Sequence, residues 1–341
     1  MTLPGTLAVE PTMQRNSIFP AGVSSRSLVD VFSRALTSFQ SAGTKFQVVC
    51  TIPPSRRPSQ QLLNPIPPRT KPSTLVVLDS SFNPPTRAHL RMATSALHDL
   101  AKGKKDLGTG TLRLLLLLAV NNADKAPKPA SFDQRLAMMW AFAEDIQNTL
   151  HSGQQKDQEG EAPSIDVALS TQPYFHEKCA AIAESDFYRT SDNSEGDMEQ
   201  VVLAGFDTLI RILNPKYYNP PGSVVQVSVG EKTPMQKVLD PFFARARLRI
   251  TMRTDDDWGG KEEQLAYLED LLRGDGLQRI GGSGEWGSRI EIIEGRQDGE
   301  NIVSSTYARA AAKEQDWSGL DIMVTPGVRW WIEHERLYSE H

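Results

Sequence analysis

The sequence predicts an α/β fold built on a mostly parallel sheet, and two observations carry that expectation. Short, nearly continuous apolar runs recur along the chain, at Leu75–Leu78, Leu112–Val120 and Val201–Ala204. Strands buried on both faces need such runs. Stretches with apolar residues at helical spacing follow them, and strand–helix alternation is the mark of a parallel sheet with helices on its faces.

Taken in order, Met1–Ser24 shows no periodicity and is expected to be disordered. Ser27–Phe39 reads as a helix with Ser27 as N-cap and Leu28, Val31, Phe32, Leu36 and Phe39 on one stripe. Phe46–Ile52, apolar and β-branched, reads as a strand. An apolar stripe needs a surface to cover it, so this helix and strand are expected to belong to the folded unit as an N-terminal extension, residues 25–72, that includes a linker. That linker, Pro53–Pro72, is proline-rich and basic. It reads as an extended surface loop, favoured over the alternative that it docks a protein partner of the SH3 or WW kind.

Leu75–Leu78 is the next strand, and Ala93, Ala96, Leu97 and Leu100 give a helix that closes near Gly103. Leu112–Val120 is a strand, and Ser131–Leu150 a helix with Leu136, Met139, Trp140, Ala143 and Ile146 on one face. Polar, glycine-bearing stretches at 152–163 and 186–199 read as loop insertions in a main domain spanning 73–341. Between them lie a strand at Ile165–Leu169 and a helix at Phe175–Glu184. Val201–Ala204 leads into a helix ending at Leu213. Arg247–Arg253 and Arg289–Glu294 are later strands, and helices open at Ser304 and close the chain over Val328–Leu337.

Composition narrows the function. The 341 residues carry a net charge of −5, too mild and of the wrong sign for bulk nucleic-acid binding. The two cysteines, Cys50 and Cys179, have no zinc or disulfide spacing, which fits a reducing compartment. The longest apolar run holds Arg113 and is too short to cross a bilayer, so no membrane partner is expected. No signal-peptide pattern opens the chain. Met1–Arg34, with three arginines and one glutamate, could act as a transit peptide, but cytoplasm and/or nucleus is favoured over mitochondria.

The chemistry concentrates where the Leu75–Leu78 strand ends. Asp79 to Thr86 is a polar, proline-containing turn that opens a helix, the place where α/β sheets hold phosphates on free backbone N–H groups. Ser81-Phe82-Asn83-Pro84-Pro85-Thr86-Arg87-Ala88-His89 resembles the SFNPxTxxH segment of nicotinamide mononucleotide adenylyltransferases, members of the HxGH nucleotidyltransferase superfamily. Ile302-Val303-Ser304-Ser305-Thr306-Tyr307-Ala308-Arg309 resembles that family's ISSTxxR. Two motifs in the right order, each beside an apparent strand, are a far more specific signal than either alone. The likeness runs from about Leu75 to the C-terminus, and the N-terminal extension resembles a divergent fungal-type branch.

The resemblance implies a Rossmann-like nucleotidyltransferase fold and adenylyl transfer from ATP to nicotinamide mononucleotide. It implies His89, Thr86 and Arg309 as catalytic groups. ATP would be held by Ser81, Phe82, His89, Ser304, Ser305, Thr306 and Arg309. Gly205 and Asp207 resemble the family's GxD that helps hold nucleotides, although an acid there could equally serve the start of its own helix. Val120-Asn121-Asn122-Ala123-Asp124-Lys125 with Gln134-Arg135 resembles VNDxYxK…HR. It offers Lys125 and Lys128 as alternative phosphate contacts and Arg135 as a loop organiser. The implied Mg2+ arrives with ATP, held by substrate phosphates, and no protein metal site is expected. Asp255-Asp256-Asp257 reads as a solvated turn, and Trp330 and Trp331 as packing. The sequence departs from the family where Ser80 replaces a glycine, Thr86 the first histidine and Ala88 the glycine of HxGH. Two rival functions stay open at this point: another nucleotidyltransferase, or a nucleotide-binding adaptor without turnover.

Overall fold

The computed structural model describes residues 24–54, 63–104, 111–121, 130–153, 162–190, 197–218, 231–252, 260–295 and 301–339. The elements in chain order are α1 (Ser25–Ala42), β1 (Phe46–Ile52), β2 (Thr74–Asp79), α2 (Arg87–Lys104), β3 (Leu112–Ala119), α3 (Phe132–Gly153), β4 (Ser164–Ser170) and α4 (Phe175–Glu184). They continue as β5 (Glu199–Gly205), α5 (Phe206–Ile212), α6 (Pro234–Arg245), β6 (Ala246–Thr251), α7 (Lys261–Leu272), α8 (Gly276–Arg279) and β7 (Ile290–Ile293). The last are α9 (Ser305–Lys313), α10 (Trp317–Met323) and α11 (Pro326–His334).

The strands form one sheet in the order β1-β4-β3-β2-β5-β6-β7. Every pairing is parallel except β1 with β4 at one edge. Alternation along β2 divides the core. Val76 and Leu78 face one layer with α1, α2, α3 and the C-terminal helices, while Leu75 and Val77 face a second layer with α4 to α8. The chain is therefore an α/β, Rossmann-like fold, a mostly parallel sheet flanked by helices on both faces.

Several sequence expectations are corrected. α1 starts two residues before Ser27: Ser24 is the N-cap, and Ser27 is the third helical residue that completes a reciprocal capping box. Leu28, Phe32 and Phe39 are its buried residues, whereas Val31 and Leu36 are only part-buried. α3 has no single apolar face. Residues 136–144 are buried without a break, because the helix is enclosed by the sheet, α1 and α11. The 186–199 stretch is not all loop. Asp186–Tyr188 is a 3-10 turn with Tyr188 buried, and Glu199 already belongs to β5. Four helices had no sequence assignment, α6, α7, α8 and α10, although Thr233, Pro234 and Gln236 spell a capping box with proline at the start of α6.

The linker is less detached than an extended surface loop. The Thr51 N–H donates to the Asn64 carbonyl (3.2 Å), and the Ile66 N–H donates to the Thr51 hydroxyl (2.9 Å). Arg113 caps the Ile66 carbonyl at 2.6 Å. The expectations for 1–23, for part of the proline-rich run (55–62), and for the core of the first insertion (154–161) lie outside the described residues.

Candidate active site

The sheet order itself selects a location. From β2 the chain winds one way through β3 and β4, and from β5 the other way through β6 and β7. The reversal falls between β2 and β5, and ligands of open α/β sheets sit outside the C-terminal ends of the strands at such a point. β2 ends at Asp79 and β5 at Gly205. The turn Ser80–Thr86 and the Gly205-Phe206-Asp207 segment thus form the two lips of one crevice.

On the first lip, Thr86 takes the N-cap position of α2, since its carbonyl accepts the Leu90 N–H at 3.1 Å. His89 is the third helical residue. Its Nδ1 accepts the Thr86 backbone N–H at 3.0 Å and lies 2.8 Å from the Thr86 hydroxyl. This is the reciprocal leg of a capping box with imidazole in place of glutamate, so the T-x-x-H spacing is a consequence of helix geometry. An Nδ1 that accepts leaves the proton of the neutral ring on Nε2. Nε2 points to the Ser80 hydroxyl at 3.0 Å. The hydroxyl of Thr86, buried at 1% exposure, is turned toward the imidazole rather than standing open to a phosphate, while the Thr86 N–H fixes the tautomer. Ser80, a departure from the motif in the sequence, supplies a partner for the histidine that glycine could not.

The turn is strained and heavily tied. Phe82 has φ 44, a left-handed value that costs a non-glycine residue about 1–3 kcal/mol. Its ring is fully buried between His89 and Phe142, with centroids 5.5 and 6.5 Å away. Phe82 thus wedges the turn from beneath, while Ser81 is exposed. The Asn83–Pro84 peptide is cis.

The second motif closes over this turn. Ser304 is the N-cap of α9 and accepts the Tyr307 N–H at 3.2 Å. The Ser305 hydroxyl donates to the Pro84 carbonyl at 2.8 Å. Arg309 sits on the second helical turn, not the first; its Nη1 donates to the Asn83 carbonyl at 2.7 Å and its Nη2 to the Thr306 hydroxyl at 3.2 Å. The Ser305 hydroxyl and one arm of the guanidinium fork thus join α9 to the turn, while the Ser304 and Thr306 hydroxyls are engaged within α9 itself. A cavity of about 420 Å³ opens beside Arg309, lined also by Lys313, Arg336 and Tyr338. Tyr338 donates to the Asn83 side-chain oxygen at 2.8 Å. Burial pushes the Tyr338 hydroxyl well above its ordinary range and pulls the Arg135 guanidinium down. Arg135 Nε holds the Ala130 carbonyl at 2.9 Å, the loop-organising place expected of it.

One pair beside the crevice had no sequence signal. Lys178 of α4 and Asp79, with side chains 7% and 6% exposed, meet at 2.5 Å, and the ammonium also lies 5.0 Å from the centre of the Phe175 ring. Their separation of 99 residues hid them. On the second lip, Asp207 is on the first turn of α5, whose N-cap is Gly205. A carboxylate there complements the helix dipole. Lys125, Lys128 and Asp255–Asp257 lie outside the described residues. Trp331 is buried with its Nε1 donating to Gln134 at 2.7 Å, and Trp330 stacks on His334, so both serve packing. Among the described residues no group of three or more His, Cys, Asp or Glu side chains could hold a metal, and no helix is long and apolar enough to cross a membrane.

No protein-family model matches the chain. A curated protein of Schizosaccharomyces pombe, named "Putative nicotinamide mononucleotide adenylyltransferase", is 35% identical over 237 residues, covering 70% of this chain and 75% of that protein. Among solved structures, a Plasmodium falciparum nicotinic acid mononucleotide adenylyltransferase complexed with NaAD covers 78% of this chain and 97% of its own, at 14% identity and a TM-score of 0.39. Thermotoga maritima TmcAL bound with alpha-thio ATP covers 77% of this chain and 56% of its own, at 15% identity and a TM-score of 0.33. Likenesses that distant decide nothing, and the assignment rests on the sequence match together with the two motifs. The chain belongs to the nicotinamide mononucleotide adenylyltransferase family of nucleotidyltransferases.

Proposed function

We propose that this protein transfers the adenylyl group of Mg-ATP to the phosphate of nicotinamide mononucleotide, giving NAD and pyrophosphate. A phosphate oxygen of the mononucleotide attacks the α-phosphorus in line. The new O–P bond forms as the bond to the β-phosphate oxygen breaks, and pyrophosphate leaves with its magnesium. Little covalent chemistry falls to the protein; alignment and charge stabilisation are its work.

The observation that carries this reading is the His89 arrangement within a family member. Thr86 holds Nδ1, so the Nε2 proton is presented at the C-terminal end of β2. A phosphate oxygen arriving there would replace or share the Ser80 oxygen as acceptor, and the donated hydrogen bond would strengthen as charge grows on the phosphates. The exposed Ser81 backbone and the edge of α9 with Thr306 and Arg309 would take the remaining phosphate oxygens. Asp207 and Gly205, across the crevice, suit the nucleotide part, and Lys125 or Lys128 the mononucleotide phosphate. Purified protein with Mg-ATP and the amide or acid form of the mononucleotide, followed by pyrophosphate release and dinucleotide formation, tests the proposal. Turnover with neither acceptor would overturn it.

A further inference from the structure

We infer that the C-terminal strap after α11 is a working part of the phosphate turn, and that Tyr338 is a positioning residue for ATP. This rests on reading the Ser80–Thr86 turn as the ATP site. Tyr338 stands 255 residues from Asn83, yet its hydroxyl reaches the Asn83 side-chain oxygen at 2.8 Å. Asn83 is 5% exposed and follows the left-handed Phe82. Its carbonyl is held by Arg309 and its side chain by Tyr338, so both ends of one residue are fixed from outside the turn. Holding Asn83 this way fixes how the neighbouring peptide planes are oriented, and with them the N–H groups that would face phosphate.

The strap has its own strain. Arg336 has φ 50 and Tyr338 φ 67. The first is accounted for: Leu337 N–H bonds the Ile332 carbonyl at 3.0 Å and Arg336 N–H the Glu333 carbonyl at 3.3 Å, a left-handed cap ending α11. The second lies beyond the cap, and no helix-ending requirement explains it. A tyrosine kept left-handed needs surroundings that over-determine it, and such residues gather where geometry serves function. Here the surroundings are a part-buried ring packed against the core and a hydroxyl bonded into the turn. The charges of Arg135 and Arg309 act on that hydroxyl, and guanidinium groups cannot accept a hydrogen bond. The other acceptor in reach, the Met138 sulfur at 3.9 Å, is a weak and distant one, so the hydroxyl proton is directed at Asn83.

Tyr338→Phe keeps the ring and removes the bond. ATP binding by titration calorimetry, with steady-state kinetics well below the melting temperature, is measured for the wild type, Tyr338→Phe, Asn83→Ala and the double variant. Tyr338→Phe should weaken ATP binding about tenfold, the worth of one ordinary hydrogen bond. The Michaelis constant for the mononucleotide should stay unchanged, and the double variant should bind ATP no worse than Asn83→Ala. ATP binding equal to wild type, a parallel loss for both substrates, or additive effects would each overturn the inference. Calorimetry needs no turnover, so a wild type that binds ATP but transfers nothing sinks the proposed reaction and leaves the strap tested. A wild type that does not bind ATP sinks both.

Discussion

Replacing Asp166 with asparagine should destabilise this protein severely while sparing its chemistry. Asp166 is fully buried near the N-terminal end of β4. It accepts from Arg113 Nε (2.5 Å) and Nη2 (2.8 Å), from the Thr51 hydroxyl (2.7 Å) and from the Tyr188 hydroxyl (3.0 Å). Asparagine keeps the shape but turns one acceptor into a donor, set against a ring of donors. It also leaves the Arg113 guanidinium, with its side chain 8% exposed, without its counter-charge. Breaking a buried pair from one side costs about 3–5 kcal/mol, because a buried charge is left uncompensated. A domain of 150–250 residues loses about 2–4 °C of Tm per kcal/mol, and a longer chain less, so a drop of roughly 5–15 °C is expected. Thermal and urea melts of Asp166→Asn, Arg113→Met and the double variant give the coupling directly, expected at roughly 1–3 kcal/mol. The network sits at the opposite end of the sheet from the crevice, so kcat at low temperature should not change. A single-variant cost under about 1 kcal/mol would refute the reasoning, since that is the worth of a surface pair.

Three further outcomes follow from the geometry. His89→Ala should lower turnover about 100-fold or more, the usual effect of losing a donor aimed at developing charge, with folding checked by melting because the start of α2 loses a cap partner; wild-type rates in a folded variant would remove His89 from the mechanism. Arg309→Lys should raise the Michaelis constant for ATP and leave that for the mononucleotide in place, because lysine cannot bridge Asn83 and Thr306 as the fork does; equal effects on both would place Arg309 away from the triphosphate. Stability should fall as pH rises above about 9. The buried Cys179 thiol is pushed up from 9.0 to about 12, Cys50 and Tyr188 also rise by burial, and the unfolded chain releases those protons first. The slope is about 1.4 kcal/mol per pH unit for each such group, and a flat urea midpoint between pH 9 and 11 would contradict it.

Much of the fold was legible because it follows from local pattern. The apolar runs gave β2, β3 and β5 nearly to the residue, and Phe175–Glu184 is the helix read from the sequence. What stayed hidden is set by distant partners. Nothing local says that β1 runs antiparallel at an edge, since a short apolar strand fits either direction. α3 reads as one-faced, yet three neighbours bury it all round. Asp166, Arg113, Thr51 and Tyr188 lie on separate segments, and only the register of β1, β3 and β4 brings them together.

The site divides along the same line. The T-x-x-H spacing is legible because it is a helix cap, and a cap is written within four residues. Ser80, Asn83, Tyr338 and the Asp79–Lys178 pair were not: Ser80 meets His89 only once the turn has closed, Lys178 meets Asp79 only once α4 has docked, and Asn83 meets Tyr338 only once the C-terminal helices have. Phe82 shows why the two motifs must travel together. A phenylalanine at φ 44 does not hold such a turn by local preference. The ties from Ser305, Arg309 and Tyr338 to Pro84 and Asn83 supply what the local sequence lacks. The second motif is thus a structural condition of the first, over a separation of more than two hundred residues. A variant that unseats α9 or the strap should therefore act on ATP as directly as one made in the turn itself.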